Sequence, residues 1–157
     1  MAHKIYIFIK MRIKKIIFII ISILSLTSFA KADLNISLKK YLDKNDLDKG
    51  LTQIYLLKRC SAVYAYASGI VLKSDAVSSK NFIEISNNLL FKAVELKVIE
   101  EEKKLEEAQE EAEKNRKDLF SNYIADCKKN WDKNKSHFKG SYIAEDMVIC
   151  SKLTEDN

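Results

Sequence analysis

The chain has no proline and only three glycines, Gly50, Gly69 and Gly140, among its 157 residues. At ordinary usage it would carry about eleven glycines. Sheet proteins joined by tight turns, and folds that cradle phosphate in glycine-rich loops, need far more of both residues. Histidine is almost as scarce. Beyond His3 there is only His137, so the rest of the chain cannot assemble a multi-histidine metal centre. No G-x-S-x-G accompanies His137 to suggest a nucleophilic triad, and its surroundings read as an exposed turn. No calcium loop is present either. The nearest run, Asp43 to Gly50, lacks glycine at its sixth position and has Ile54 at its twelfth, so it reads as a polar turn and helix cap. A C-x-x-C pair is also missing, which argues against a thiol–disulfide oxidoreductase. The composition therefore points to an all-α protein without catalytic groups, metal or cofactor.

The net charge of +5, from 27 basic and 22 acidic residues, invites a nucleic-acid reading. The distribution of charge removes it. Residues 1–32 contain Lys4, Lys10, Arg12, Lys14, Lys15 and Lys31 and no acid, and without them the remainder has a net charge of −1. The basic excess belongs to the N-terminus and says nothing about partners of the rest. Lysine outnumbers arginine 24 to 3, with frequent Ile and Asn, a pattern of AT-rich bacterial coding rather than of chemistry.

The N-terminus has the three-part order of a secretory signal peptide. Met11-Arg12-Ile13-Lys14-Lys15 is cationic, Ile16 to Leu26 is apolar apart from Ser22 and Ser25, and Ala30-Lys31-Ala32 offers small residues for cleavage. We expect translation to start at Met11, cleavage after Ala32 (or after Ala30), and residues 33–157 to form one helical domain. The apolar run of eleven residues is short against the ~20 a membrane span requires, so no span should remain after cleavage. This places the protein in the periplasm or outside the cell.

In the expected domain, Ser37 can cap a short turn to Leu42. Asp46 or Asp48 can cap a helix from about Leu47 to Leu72. Its second half, Cys60 to Leu72, is apolar or small on every side, the mark of a central buried helix. Ser61, Ala65 and Gly69 fall four apart and would let another helix approach closely. Ser78 or Ser79 should cap a second helix, with Phe82, Ile85, Leu89, Ala93 and Leu96 on its inner face. Of residues 100–118, nine are acidic and five basic, with Glu100–Lys104, Glu110–Lys114 and Glu113–Lys117 at i,i+4 spacing. Their thin apolar stripe is Leu105, Ala108 and Ala112. Helical spacing resumes from Leu119 to Trp131. After a turn at 133–140, Ser141 can cap a last helix with Ile143, Met147, Cys150 and Leu153 inside.

These elements make a small three- to four-helix bundle with one long, partly exposed charged helix. One unbroken helix over 80–131 would be about 78 Å long. A compact domain of this size has a radius of gyration near 14 Å. The charged stretch must therefore either project as an arm or bend, and Asn115 is its weakest helix former.

Three cysteines, Cys60, Cys127 and Cys150, in an exported chain imply one disulfide and one thiol. If the last two helices form a hairpin turning between Phe138 and Lys139, Cys127 and Cys150 lie side by side, and that pair is expected. Cys60–Cys150 is the rival pairing. Among the aromatics, Tyr64 and Tyr66 are candidates for lining a pocket. The expected role is that of a non-enzymatic accessory or inhibitor protein of the cell envelope. It would bind another protein or envelope component, not nucleic acid, with Leu105, Ala108 and Ala112 as a docking stripe. A small-molecule or lipid carrier with an aromatic pocket between helices is the alternative. The oligomeric state is not set by the sequence.

Overall fold

The Ser37 hydroxyl accepts a hydrogen bond from the Lys40 backbone N–H at 3.3 Å and so starts α1, Leu38–Leu42. The computed structural model describes residues 36–155, so the expected signal segment, its cleavage site and the start at Met11 lie outside the described residues. Four longer helices follow: α2 (Gly50–Val71), α3 (Ala76–Glu100), α4 (Leu105–Asn134) and α5 (Tyr142–Glu155). There is no strand among the described residues, and no helix among them is long and apolar enough to cross a membrane. The all-α bundle is as expected.

The capping residues differ from those the sequence suggests. Asp46 uses its carboxylate on the Asp48 N–H, at 3.0 Å, which holds a turn and delays α2 until Gly50. The Glu100 side chain lies so close to Gly50 that a Cβ there would meet it, and its carboxylate suits the positive end of the helix. At α3 the cap is Asp75, which accepts from the Ser78 N–H at 2.9 Å. A carboxylate serves this position as well as a hydroxyl does and adds favourable charge.

α2 is the central helix, buried on most sides along its length. α3 runs back along it in a seam made by serines. The Ser61 hydroxyl donates to the Ser86 carbonyl at 2.8 Å, and Ser86 returns the bond to the Ser61 carbonyl at 2.7 Å. Two turns on, Ser68 donates to the Ser79 carbonyl at 2.9 Å. Short side chains let the two backbones approach, and the reciprocal bonds satisfy hydroxyls that would otherwise be buried unpaired. Of the small residues at four-residue spacing, only Ser61 belongs to this seam. Ala65 is half-buried, and Gly69 is exposed with nothing near it.

The charged stretch bends. α3 stops at Glu100, Glu102 takes a left-handed φ of 51°, and α4 folds back against both α3 and α2. The break falls at 101–104, while Asn115 lies inside α4. Helix propensity is a weak force, and here ion pairing across the corner outweighs it. Lys97 bonds Glu101 at 2.6 Å and Glu111 at 2.7 Å; Lys103 bonds Glu101 at 3.1 Å and Glu111 at 2.6 Å. Four side chains thus close a ring of alternating charge that staples the end of α3 to the second turn of α4. Beneath it Ala108 and Ala112 pack on Leu90, Val94 and Val98.

At the other end of α4, Lys135 (φ 52°) and Gly140 (φ 81°) turn the chain. Asn130 holds the linker by donating to the carbonyls of Ser136 and Lys139, at 2.7 and 3.0 Å. α5 then leaves α4 and packs against α1 and α2.

Candidate functional site

The departure of α5 decides the disulfide. Cys60 of α2 is bonded to Cys150 of α5, with Cα atoms 5.3 Å apart, and Cys127 is a free, buried thiol. The expected Cys127–Cys150 pair is therefore corrected. It required α4 and α5 to lie side by side as a hairpin, but the seven-residue linker carries α5 across to the opposite neighbour. The Cys127 Sγ instead donates to the His137 carbonyl at 3.2 Å. Burial pushes its thiol pKa up, so Cys127 stays protonated and unreactive.

Beside Cys60, and one turn from Cys150, lies the most polar part of the core. Arg59 (1% exposed) and Asp146 (0% exposed) form a buried ion pair. Asp146 Oδ2 accepts from Arg59 Nη2 at 2.8 Å, from Nε at 3.0 Å and from the Tyr123 hydroxyl at 2.7 Å. Its Oδ1 accepts the Leu38 backbone N–H at 2.7 Å. Arg59 Nη1 donates to the Tyr55 hydroxyl at 2.8 Å, and the Tyr142 ring faces the guanidinium at 5.5 Å. One carboxylate thereby joins α1, α2, α4 and α5. Burial alone would lower the Arg59 pKa, but Tyr123, Asp146 and Tyr55 reverse this and hold it above its ordinary value. Burial raises the Tyr123 phenol far above its usual range. Every charged atom here is bonded and none is open to solvent, so the arrangement braces the core rather than meeting a substrate.

Tyr64 and Tyr66 are buried and line neither of the two grooves described below. The Tyr64 ring packs on Phe82 of α3 at 5.8 Å, and its hydroxyl bonds Thr154 at 3.1 Å. Tyr66 bonds His137 Nδ1 at 3.0 Å and sits edge-on to Phe120 and Phe138, while Trp131 stacks on His137 at 4.7 Å. The two tyrosines point to different sides, as their spacing requires, and both fill interior space. The docking stripe is also divided. Ala108 and Ala112 are fully covered by the chain's own α3, and only Leu105, 60% exposed, is open. The folded-back corner supplies the partner helix that the stripe was expected to receive from outside.

Two surface grooves are open among the described residues. One, of about 660 Å³, opens where α3 and α4 splay apart over α2; Ala65, Ile83 and Phe120 form its apolar wall, and Glu110, Glu113, Lys114 and Lys117 are at its rim. The other, of about 460 Å³, lies between α3 and the end of α5, over Ile85, Leu89 and Thr154, with Phe91 at its edge. A third feature is Lys58, which faces the ionic corner from α2. Burial, aided by the charge of Lys97, brings its pKa down to about 8.

The sequence reading missed the Arg59–Asp146 pair. Its signals were an arginine at the edge of the apolar half of α2 and an aspartate among the inward positions of the last helix. The chain matches no protein family, and no curated protein or solved structure is similar to it.

Proposed function

We propose that this chain is an exported helical protein of the bacterial envelope. It loses residues 1–32 on export and acts by binding another protein or envelope component, not by catalysis. The observation that carries this reading is the Cys60–Cys150 bridge inside the core of a chain that begins with a signal-like segment. Such a bond persists in an oxidising compartment and is rare in a reducing one. The polar residues capable of chemistry, Arg59, Asp146 and Tyr123, are engaged in holding the helices together. What faces outward includes Phe91, 61% exposed beside the α3–α5 groove, a form of surface suited to recognition. Tyr64 and Tyr66, on which the carrier alternative rested, are packed inside the bundle.

The test has two parts. Intact mass and non-reducing peptide mapping of protein from the periplasm should give a chain beginning at Asp33 with Cys60 linked to Cys150. A full-length, reduced chain in the cytoplasm would overturn export. A photocrosslinking residue in place of Phe91 should then capture one envelope component, and Phe91→Glu should abolish its recovery by the purified protein. Capture that ignores this substitution would overturn the surface.

A further inference from the structure

The i,i+4 pairs Glu110–Lys114 and Glu113–Lys117, expected to close along the helix, do not. Among the described residues, Glu110, Lys114 and Lys117 form no ion pair, and Glu113 instead accepts from Gln109 at 2.9 Å. All four side chains stand at the rim of the α3–α4 groove, beside the apolar wall of Ala65, Ile83 and Phe120. Arg116, between the two lysines, also lines the groove and donates to Asn87 of α3 at 3.0 Å, so the charges along α4 run acid, acid, base, base, base.

We infer that this groove is a self-association surface, occupied by the α4 of a second copy lying antiparallel. A two-fold axis between Glu113 and Lys114 sets Glu113 opposite the partner's Lys114, and Glu110 opposite the partner's Lys117. The same register brings Glu106 opposite the partner's Ser121; Glu111 and Arg116, also opposite, are each held within their own chain, by Lys97 and Lys103 and by Asn87. Asp118 falls opposite Gln109, so no like charges oppose one another along the central part of the helix. An isologous contact requires a surface complementary to itself, and an acid-to-base reversal about a midpoint is the simplest form of one. Exposed ion pairs contribute little affinity but set orientation and register, while the covered Ile83 and Phe120 supply the attraction. The inference is independent of export and of the outside partner proposed above.

Charge reversal tests it. Glu110→Lys with Glu113→Lys makes the rim wholly basic, and Lys114→Glu with Lys117→Glu leaves Arg116 as its one basic residue. Sedimentation equilibrium of residues 33–157 over a concentration series should show a dimer for the natural chain. Each variant alone should dimerise roughly tenfold or more weakly, and an equimolar mixture of the two should recover a mixed dimer. High salt should weaken the natural dimer by screening its pairs. Circular dichroism of each variant guards against misfolding, and Ile83→Asp, a single change at the wall, should also dissociate the dimer. A natural chain that is monomeric throughout overturns the inference. So does a dimer indifferent to charge reversal, or variants that fail to recombine when both are folded.

Discussion

Replacing Asp146 by asparagine keeps the shape of the side chain and its bond from the Leu38 N–H, but removes the charge facing Arg59. The guanidinium then remains in the core with no counter-charge. Leaving one partner of a buried pair uncompensated typically costs 3–5 kcal/mol. Three of the four hydrogen bonds to Asp146 reach the oxygen that faces Arg59 and Tyr123, so the upper half of that range applies and about 4 kcal/mol is expected. For a domain of this size that lowers the Tm by roughly 15 °C. Urea unfolding followed by far-UV circular dichroism, with the disulfide intact, measures it. The double variant Arg59→Met, Asp146→Asn removes both charges and retains an acceptor for Leu38. It should be more stable than Asp146→Asn alone, because the penalty is the unpaired charge and not the lost contact. A loss below about 1 kcal/mol for the single change would refute this account of the core. A double variant less stable than the single one would do the same.

Cys150→Ala should cost roughly 4.5 kcal/mol, the chain-entropy value for a loop closed across a separation of 90 residues, read as a lower urea midpoint than that of the oxidised protein. Lys58→Met should stabilise the protein at pH 7 by on the order of 2 kcal/mol. The folded pKa of Lys58, about 8, is below its ordinary 10.5, so the charged amine is penalised in the fold and the natural chain regains stability as pH rises between those values. The advantage of methionine should therefore shrink over that window, and a pH-independent advantage would contradict it. At the corner, the bonds from Lys103 and then Lys97 hold Glu111 down to about 2, so the stability it contributes is present above its ordinary 4.5 and is lost as pH falls toward 2. Amide exchange in 101–112 should accelerate across that range ahead of 60–68, and Glu111→Gln should show the open corner already at neutral pH.

The amount legible in the sequence differed between elements for physical reasons. The apolar periodicity of 82–99 and the all-round burial of 60–72 are strong signals, and α2 and α3 followed from them to within a few residues. The corner at 101–104 was not legible. It depends on Lys97, Lys103, Glu101 and Glu111 meeting across a bend, and in the linear sequence these are indistinguishable from the solvated charges around them. The same bend consumed Ala108 and Ala112, which looked available only while α4 was imagined extended. The disulfide was misassigned because symmetry about a turn says where two residues fall only if the helices run alongside one another. Asn130, which directs the linker and hence α5, looked like one more polar surface residue. The serine seam had a visible trace, pairs of serines seven apart on both helices, but only Ser61 was read as part of a close approach.

The covalent bond also imposes an order on assembly. If the chain is exported as proposed, N-terminus first, it presents Cys60, then Cys127, and only at the end Cys150. The native bond joins the first and the third. An oxidant acting on thiols as they emerge would make the Cys60–Cys127 bond, and the native link would then have to be reached by exchange, a process of seconds to hours. In the folded chain Cys127 is buried, its thiol donating to the carbonyl of His137 ten residues on, and is out of reach of such exchange. The turn holding α5 in place therefore has a second consequence. It keeps the third thiol apart from the bridge, so the native pairing, once made, has no neighbouring sulfur to exchange with.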